Sequence, residues 1–269
     1  MEAAFFDLDK TVIATASMVA FGRPFYREGL ISRRTVLRSV YGQLVYMHLG
    51  ASEEKLARIR ESVLALTKGW DQARIRAIVA ETLEEIVEPI IYGEALDLIE
   101  AHRQMGRLVY IVSASPDEIV APLARHLGAD GAIASRPRID GHGRYTGEMD
   151  FYAYGPFKAE AIKELAALED IDLEGSFAYS DSYTDLPMLE VVGHAVAVNP
   201  DRLLANAARD RGWEVRQFER RVKLDRSRRA VANPARAAAW AGIGLAGAGA
   251  AVMVGWRLEV GRRAQLAAR

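Results

Sequence analysis

Three observations predict an α/β fold, a Rossmann-like parallel sheet with helices on both faces. The chain opens almost at once on an apolar strand, Ala3-Ala4-Phe5-Phe6, that ends at Asp7. From residue 93 to 218, helical stretches alternate with short apolar strands. From about 15 to 88 the periodicity is helical throughout, so the sheet is expected to be interrupted early by an all-helical insert.

The elements follow in order. Ser32 and Ser52 are expected N-caps for helices over 33–49 and 53–68, and a third helix over 71–87 stops before Pro89. That third helix repeats its apolar residues at Ile75, Ile78, Val79, Leu83, Ile86 and Val87, three or four apart. Strands are expected at 108–112, 132–134, 177–179, 195–198 and 215–218, with a turn at Asp140-Gly141-His142-Gly143-Arg144 closing a hairpin. This partitions the chain into a core of 1–14 and 89–218, an insert of 15–88, a basic linker of 219–236, a hydrophobic segment of 237–256 and a basic tail of 257–269.

Charge divides the 269 residues unevenly. Residues 1–219 carry 24 Lys+Arg against 34 Asp+Glu, a net of -10; residues 220–269 carry 11 against 2, a net of +9. An acidic body argues against a nucleic-acid face. The absence of cysteine excludes disulfides, thiolate metal sites and a cysteine nucleophile. The N-terminus has no secretory pattern, so the body is expected in the cytoplasm.

The twenty residues from Ala237 to Trp256 carry no charge. As a helix they would span about 30 Å, one hydrocarbon core. Trp240 and Trp256 stand near the ends, and arginines flank both sides. The expectation is a single C-terminal transmembrane helix tethering a cytoplasmic catalytic part to the inner or plasma membrane. A buried Ala/Gly-rich helix or a low-complexity linker is the alternative.

Four groups carry chemistry. Asp7 and Asp9 follow the first strand, and ligands bind beyond the carboxyl ends of parallel strands. Buried together, the two carboxylates would repel, so a divalent cation or a shared proton is expected; exposed, they form an ordinary acidic turn. Ser113 ends the second strand, and Ser115-Pro116-Asp117-Glu118 has the form of a capping box, which sets a helix N-terminus and its free N–H groups beside the Ser113 hydroxyl. Lys158 opens another helix, where a cation opposes the dipole; a surface lysine is the plainer reading unless an anion compensates it. Asp181 and Asp185 follow the strand at 177–179, and clustered hard oxygen ligands suit magnesium.

Together, DLDKT at 7–11, IVSAS at 111–115, Lys158 and SDSYTD at 180–185 resemble, in order and spacing, the four motifs of the haloacid dehalogenase (HAD) superfamily of phosphatases, in its phosphoserine-phosphatase-like subfamily IB. The resemblance covers residues 1–218 and implies that the insert is an all-helical cap. It implies Asp7 as the nucleophile, forming an aspartyl-phosphate, and Asp9 as the acid and base. Ser113 and Lys158 bind the phosphoryl group; Thr11, grouped with them, helps hold the first loop. Mg²⁺ is held by Asp7, Asp9 through its backbone carbonyl, and Asp181, with Asp185 supporting. One departure stands out: phosphoserine phosphatases carry a glutamate for the substrate ammonium soon after the first motif, and residues 12–18 hold no acid.

The expected activity is therefore Mg²⁺-dependent hydrolysis of a small phosphorylated metabolite or a lipid-derived phosphate. Two rivals are a phosphotransferase or mutase using the same chemistry, and a phosphate-responsive signalling module.

Overall fold

The structure, a computed structural model, describes residues 1–32 and 61–221. These fall within one compact unit, Met1–Lys223; a second unit, Leu224–Arg269, lies outside the described residues.

Strand β1 (Ala3–Asp7) is buried along its whole length. A strand apolar on both faces needs cover on both, which fits it for the middle of a sheet. Six more strands join it: β2 (Leu108–Pro116), β3 (Gly131–Ile139), β4 (Tyr145–Phe151), β5 (Phe177–Ser180), β6 (His194–Val198) and β7 (Glu214–Arg216). Their order is β4-β3-β2-β1-β5-β6-β7. Every neighbouring pair is parallel except β3 with β4. The chain steps outward from β1 to one side through β2, then returns to its other side at β5. The two carboxyl ends beside β1 thus form a topological switch point, where open sheets bind ligands.

The described helices are α1 (Ser17–Ala20), α2 (Gly22–Arg27), α3 (Gln72–Val87), α4 (Gly93–Gln104), α5 (Asp117–His126), α6 (Pro156–Glu169), α7 (Leu186–Leu189) and α8 (Arg202–Arg211). Ala3 and Phe5 share one buried cluster with Ile162 of α6, Met188 and Leu189 of α7 and Leu204 of α8. Phe6 faces the other way: its ring stacks on Tyr179 at 4.3 Å and meets His102 of α4 edge-on. Helix α3 begins where Asp71 accepts a hydrogen bond from the Arg74 N–H, the expected N-capping chemistry. The first and second expected helices fall on 33–60 for most of their length, outside the described residues; residues 61–67 are helical.

The structure departs from expectation in three places. Strand β3 runs well past residue 134, and the hairpin expected at 140–144 forms by pairing it with β4, a strand whose range the sequence does not assign. The capping box at 115–118 does not form: β2 runs on to Pro116, and α5 starts at Asp117 without a side-chain cap. The physical reason is competition. The Ser115 hydroxyl bonds instead to the Ser17 hydroxyl, and Glu118 accepts from the Gln72 amide at 2.6 Å.

The third departure overturns the expected transmembrane helix and, with it, the catalytic part tethered to a membrane. Among the described residues no helix is long and apolar enough to cross a membrane. Residues 237–256, where that expectation falls, lie outside the described residues. The absence of charge is a weak signal there, because Ala and Gly make up thirteen of those twenty residues. Leu, Ile, Phe and Val are the residues that favour insertion, and the run holds only Ile243, Leu245, Val252 and Val254.

Candidate active site

Register brings the motif residues to one edge of the sheet. Asp7 pairs with Val112, so Ser113 lies one step beyond it on β2. Phe6 pairs with Tyr179 on the other side, so Ser180 stands level with Asp7 and Asp181 just past it. After β1 the chain turns sharply: the N–H groups of Val12 and Ile13 both donate to the Leu8 carbonyl. Lys10 takes a left-handed φ of 65° within this turn, a conformation that costs a non-glycine residue about 1 kcal/mol or more. The loop is pinned from outside, since Tyr92 N–H donates to the Val12 carbonyl and Ala14 N–H to that of Ile90. Thr11 is fully buried in it, and its Oγ1 has no hydrogen-bond partner among the described residues.

Lys158 is the electrostatic centre. Gly155 turns the chain with φ 55°, Pro156 starts α6, and the lysine in the first turn points inward, 2% exposed. Its Nζ donates to Asp7 Oδ1 at 2.6 Å and to Asp185 Oδ2 at 2.7 Å. The sequence leaves Lys158 as a surface side chain unless an anion compensates it; two do. Burial alone would lower the lysine's pKa, but Asp185 and Asp7 outweigh burial and keep the ammonium charged.

The carboxylates are crowded. Burial raises the pKa of Asp7, and the charges of Asp185, Asp181 and Asp9 add to the rise while Lys158 opposes it. Burial pushes Asp181 up to about 7; Lys10 and Lys158 oppose this and Asp185 reinforces it. Asp9 is raised by burial too, but less freely, because Ser17 donates to it from the backbone at 2.8 Å. Four carboxylates thus meet two ammonium groups, which leaves negative charge poorly compensated.

Several supporting contacts are made only in the folded chain. Ser180 donates to Asp185 Oδ2 at 2.7 Å and fixes the carboxylate that holds Lys158. Asp201 accepts from the N–H groups of Tyr183 and Leu204 and donates its own N–H to the Asp181 carbonyl, so it caps α8 and shapes the 181–183 loop together. An Asp before an apolar-periodic run is a legible N-cap signal, but its reach to the loop is tertiary. Ser17 and Ser115, both buried, share a 2.7 Å hydrogen bond. His142 lies exposed in the β3–β4 turn, its N–H bonded to Asp140.

Chemically, the arrangement offers a buried carboxylate beside a fixed ammonium, a second carboxylate two residues on, and the hydroxyl of Ser113 on the neighbouring strand one step past Asp7. Such a set suits nucleophilic attack on an anionic electrophile whose charge the cation shares.

Comparison with known proteins agrees. A family model for haloacid dehalogenase-like hydrolases matches residues 4–190. The chain is 51% identical over 243 residues to a probable phosphatase, Rv3661, of Mycobacterium tuberculosis, covering 90% of this chain and 84% of that one. It is 39% identical over 220 residues to phosphoserine phosphatase SerB1 of the same species, covering 80% and 70%. A solved phospho-aspartyl intermediate analogue of phosphoserine phosphatase superposes with a TM-score of 0.57 at 20% identity, over 82% of this chain and 94% of that one; this likeness bears on the fold alone.

Proposed function

The chain belongs to the haloacid dehalogenase-like hydrolases and is an enzyme of their phosphatase kind, and from that premise we propose that it hydrolyses the phosphomonoester of a small metabolite through an aspartyl-phosphate on Asp7. The observation that carries this reading is Lys158, buried and clamped between Asp7 and Asp185 at the switch point of the sheet. A lysine so held keeps Asp7 aligned and adds positive charge where phosphoryl oxygens arrive. Ser113 supplies a hydroxyl donor from the neighbouring strand, one step past the level of Asp7. Asp185, whose Oδ2 already accepts from Lys158 and Ser180, acts by holding the lysine.

In this scheme Asp7 Oδ bonds to phosphorus as the ester P–O bond breaks, and Asp9 gives its proton to the departing alkoxide. Asp9, now a carboxylate, takes a proton from water as the water oxygen bonds to phosphorus and the Asp7–phosphorus bond breaks. Inorganic phosphate leaves, and Asp7 is regenerated. We read the insert of 15–88, with α1, α2 and α3, as the helical cap over this site, set in a core of 1–14 and 89–218.

The residues also fit a magnesium ion. Among the described residues no three or more His, Asp or Glu side chains are arranged to hold a metal by themselves. Mg²⁺ asks for less: one or two carboxylates, with substrate phosphate oxygens and water completing its shell. Asp7 and Asp181, buried with excess negative charge, supply the carboxylates, and the Asp9 carbonyl a third oxygen. Bound there, the ion would neutralise phosphoryl charge as a Lewis acid. As for the substrate, a relative is named phosphoserine phosphatase, but residues 12–18 of this chain hold no acid to meet an ammonium. We therefore favour a phosphorylated metabolite without an amine beside the ester.

The full-length protein should release phosphate from p-nitrophenyl phosphate with Mg²⁺ and lose that activity in excess EDTA. Asp7→Asn should remove turnover while leaving the folded circular-dichroism spectrum intact. Retained turnover in that variant would overturn the nucleophile assignment.

A further inference from the structure

We infer that Ser17 and Ser115 are positioning residues for Asp9, joined in one buried relay that sets the acid and base of the reaction; this rests on the role proposed for Asp9. The relay is continuous. Ser17 N–H donates to Asp9 Oδ1 at 2.8 Å. Ser17 Oγ and Ser115 Oγ share a hydrogen bond of 2.7 Å across 98 residues of sequence. Ser115 N–H donates to Ser113 Oγ at 3.1 Å. Thus the carboxylate that handles the proton and the hydroxyl that faces the phosphoryl group are fixed to each other through two serines.

Burial gives the relay its stiffness. Ser17 is 0% exposed and Ser115 5%. Water has little access to replace a lost partner, and each hydroxyl is held where the other leaves it. Ser17 is the first residue of α1, where helix geometry leaves its N–H without an intrahelical acceptor. Asp9 takes that free donor. The entry to the helical insert is thereby tied to the acid, and Ser115 ties it in turn to the end of β2. An aspartate turned even slightly away from the leaving oxygen is a poor proton donor, because proton transfer requires hydrogen-bond reach in the transition state.

One substitution separates the backbone donor from mere packing. Ser17→Pro removes the N–H. Proline is accepted at the first helical position, and Ala16 already has the extended φ -62° and ψ 128° that a residue before proline requires. The assay compares kcat/KM for two substrates, phenyl phosphate and p-nitrophenyl phosphate. Phenolate departs poorly and needs the acid; nitrophenolate departs well and needs it little. Ser17→Pro should lower turnover of phenyl phosphate by roughly 10- to 100-fold and of p-nitrophenyl phosphate by no more than about 3-fold. Ser17→Ala and Ser115→Ala, which keep the N–H but cut the hydroxyl tie, should show the same selectivity at a smaller scale, roughly 3- to 10-fold on phenyl phosphate.

Equal losses on both substrates in folded Ser17→Pro overturn the inference. Should that variant not fold, the two alanine variants decide on the same criterion. Asp9→Asn serves as the reference. If it shows no leaving-group selectivity, the role of Asp9 itself falls, and the inference with it. If it is selective and the serine variants are not, only the positioning relay is refuted.

Discussion

Replacing Lys158 with methionine tests the electrostatics of the site without any assumption about substrate. The side chain is 3% exposed and keeps nearly the same shape, so the change removes charge more than volume. It deletes hydrogen bonds of 2.6 Å to Asp7 and 2.7 Å to Asp185. Both carboxylates stay buried, now without the cation between them. Breaking a buried ion pair from one side costs roughly 3–5 kcal/mol, because the partner's charge stays desolvated. With a denaturant slope of roughly 2.5 kcal/mol/M, the urea midpoint in EDTA should fall by about 1.5 M. The sign with pH follows. Without the ammonium, which opposes the rise, the folded-state pKa of Asp7 lies further above that of the unfolded chain. Such a carboxylate costs stability at neutral pH and recovers it as acid protonates it. The deficit of Lys158→Met should therefore shrink between pH 8 and pH 5. Adding Asp185→Asn removes one of the repelling charges, and the double variant should be more stable than the sum of the single changes by more than about 1 kcal/mol. A loss below about 1 kcal/mol at pH 8, or strict additivity, would refute the clamp as a buried charge network.

Three further outcomes are expected. Burial, with Arg107 and Arg216 beside it, lowers the His102 pKa from 6.5 to about 4, and its Nε2 shares a 2.8 Å hydrogen bond with the Tyr179 hydroxyl. The unfolded imidazole takes a proton first as pH falls through 6.5, so about 2 kcal/mol of stability should be lost between pH 7 and pH 5. His102→Gln should flatten that slope in urea titrations at the two pH values, and an unchanged slope would reassign it. Gly131→Ala would place a Cβ 2.5 Å from the Tyr110 ring, which is held by a hydrogen bond to Glu169 and by stacking on Phe5; thermal unfolding should report a loss of roughly 1–3 kcal/mol. Asp201→Ala removes the cap of α8 and the acceptor for Tyr183 N–H, so it should cost about 1 kcal/mol or more and lower turnover as well, whereas Asp201→Asn should retain most of both.

The parallel sheet was legible because a buried strand must be apolar on both faces, and Ala3–Phe6, Val109–Val112 and Ala195–Val198 are. The family resemblance was legible because Asp7, Asp9, Ser113, Lys158, Asp181 and Asp185 keep their order, the acids following strands and Lys158 opening a helix. The hairpin at 140–144 was legible and joins β3 to β4, but the extent of its strands was not, since β3 runs to Ile139 and β4 covers Tyr145–Phe151. The capping box at Ser115 was misread because local pattern names the donors a serine can use, not the distant hydroxyl that reaches it first.

What the sequence determined by itself is chemistry tied to local rules: which strands are buried, where acids follow them, and which family that spacing resembles. Tertiary structure decided which charges face each other. Whether Lys158 is a solvated side chain or the ammonium between Asp7 and Asp185 depends on α6 reaching β1 across 151 residues. The same holds for Ser17 and Ser115, and for Asp201 and the loop at 181–183. The reason is that electrostatic and hydrogen-bond energies depend on separation in space, and chain order sets that separation only through the completed fold.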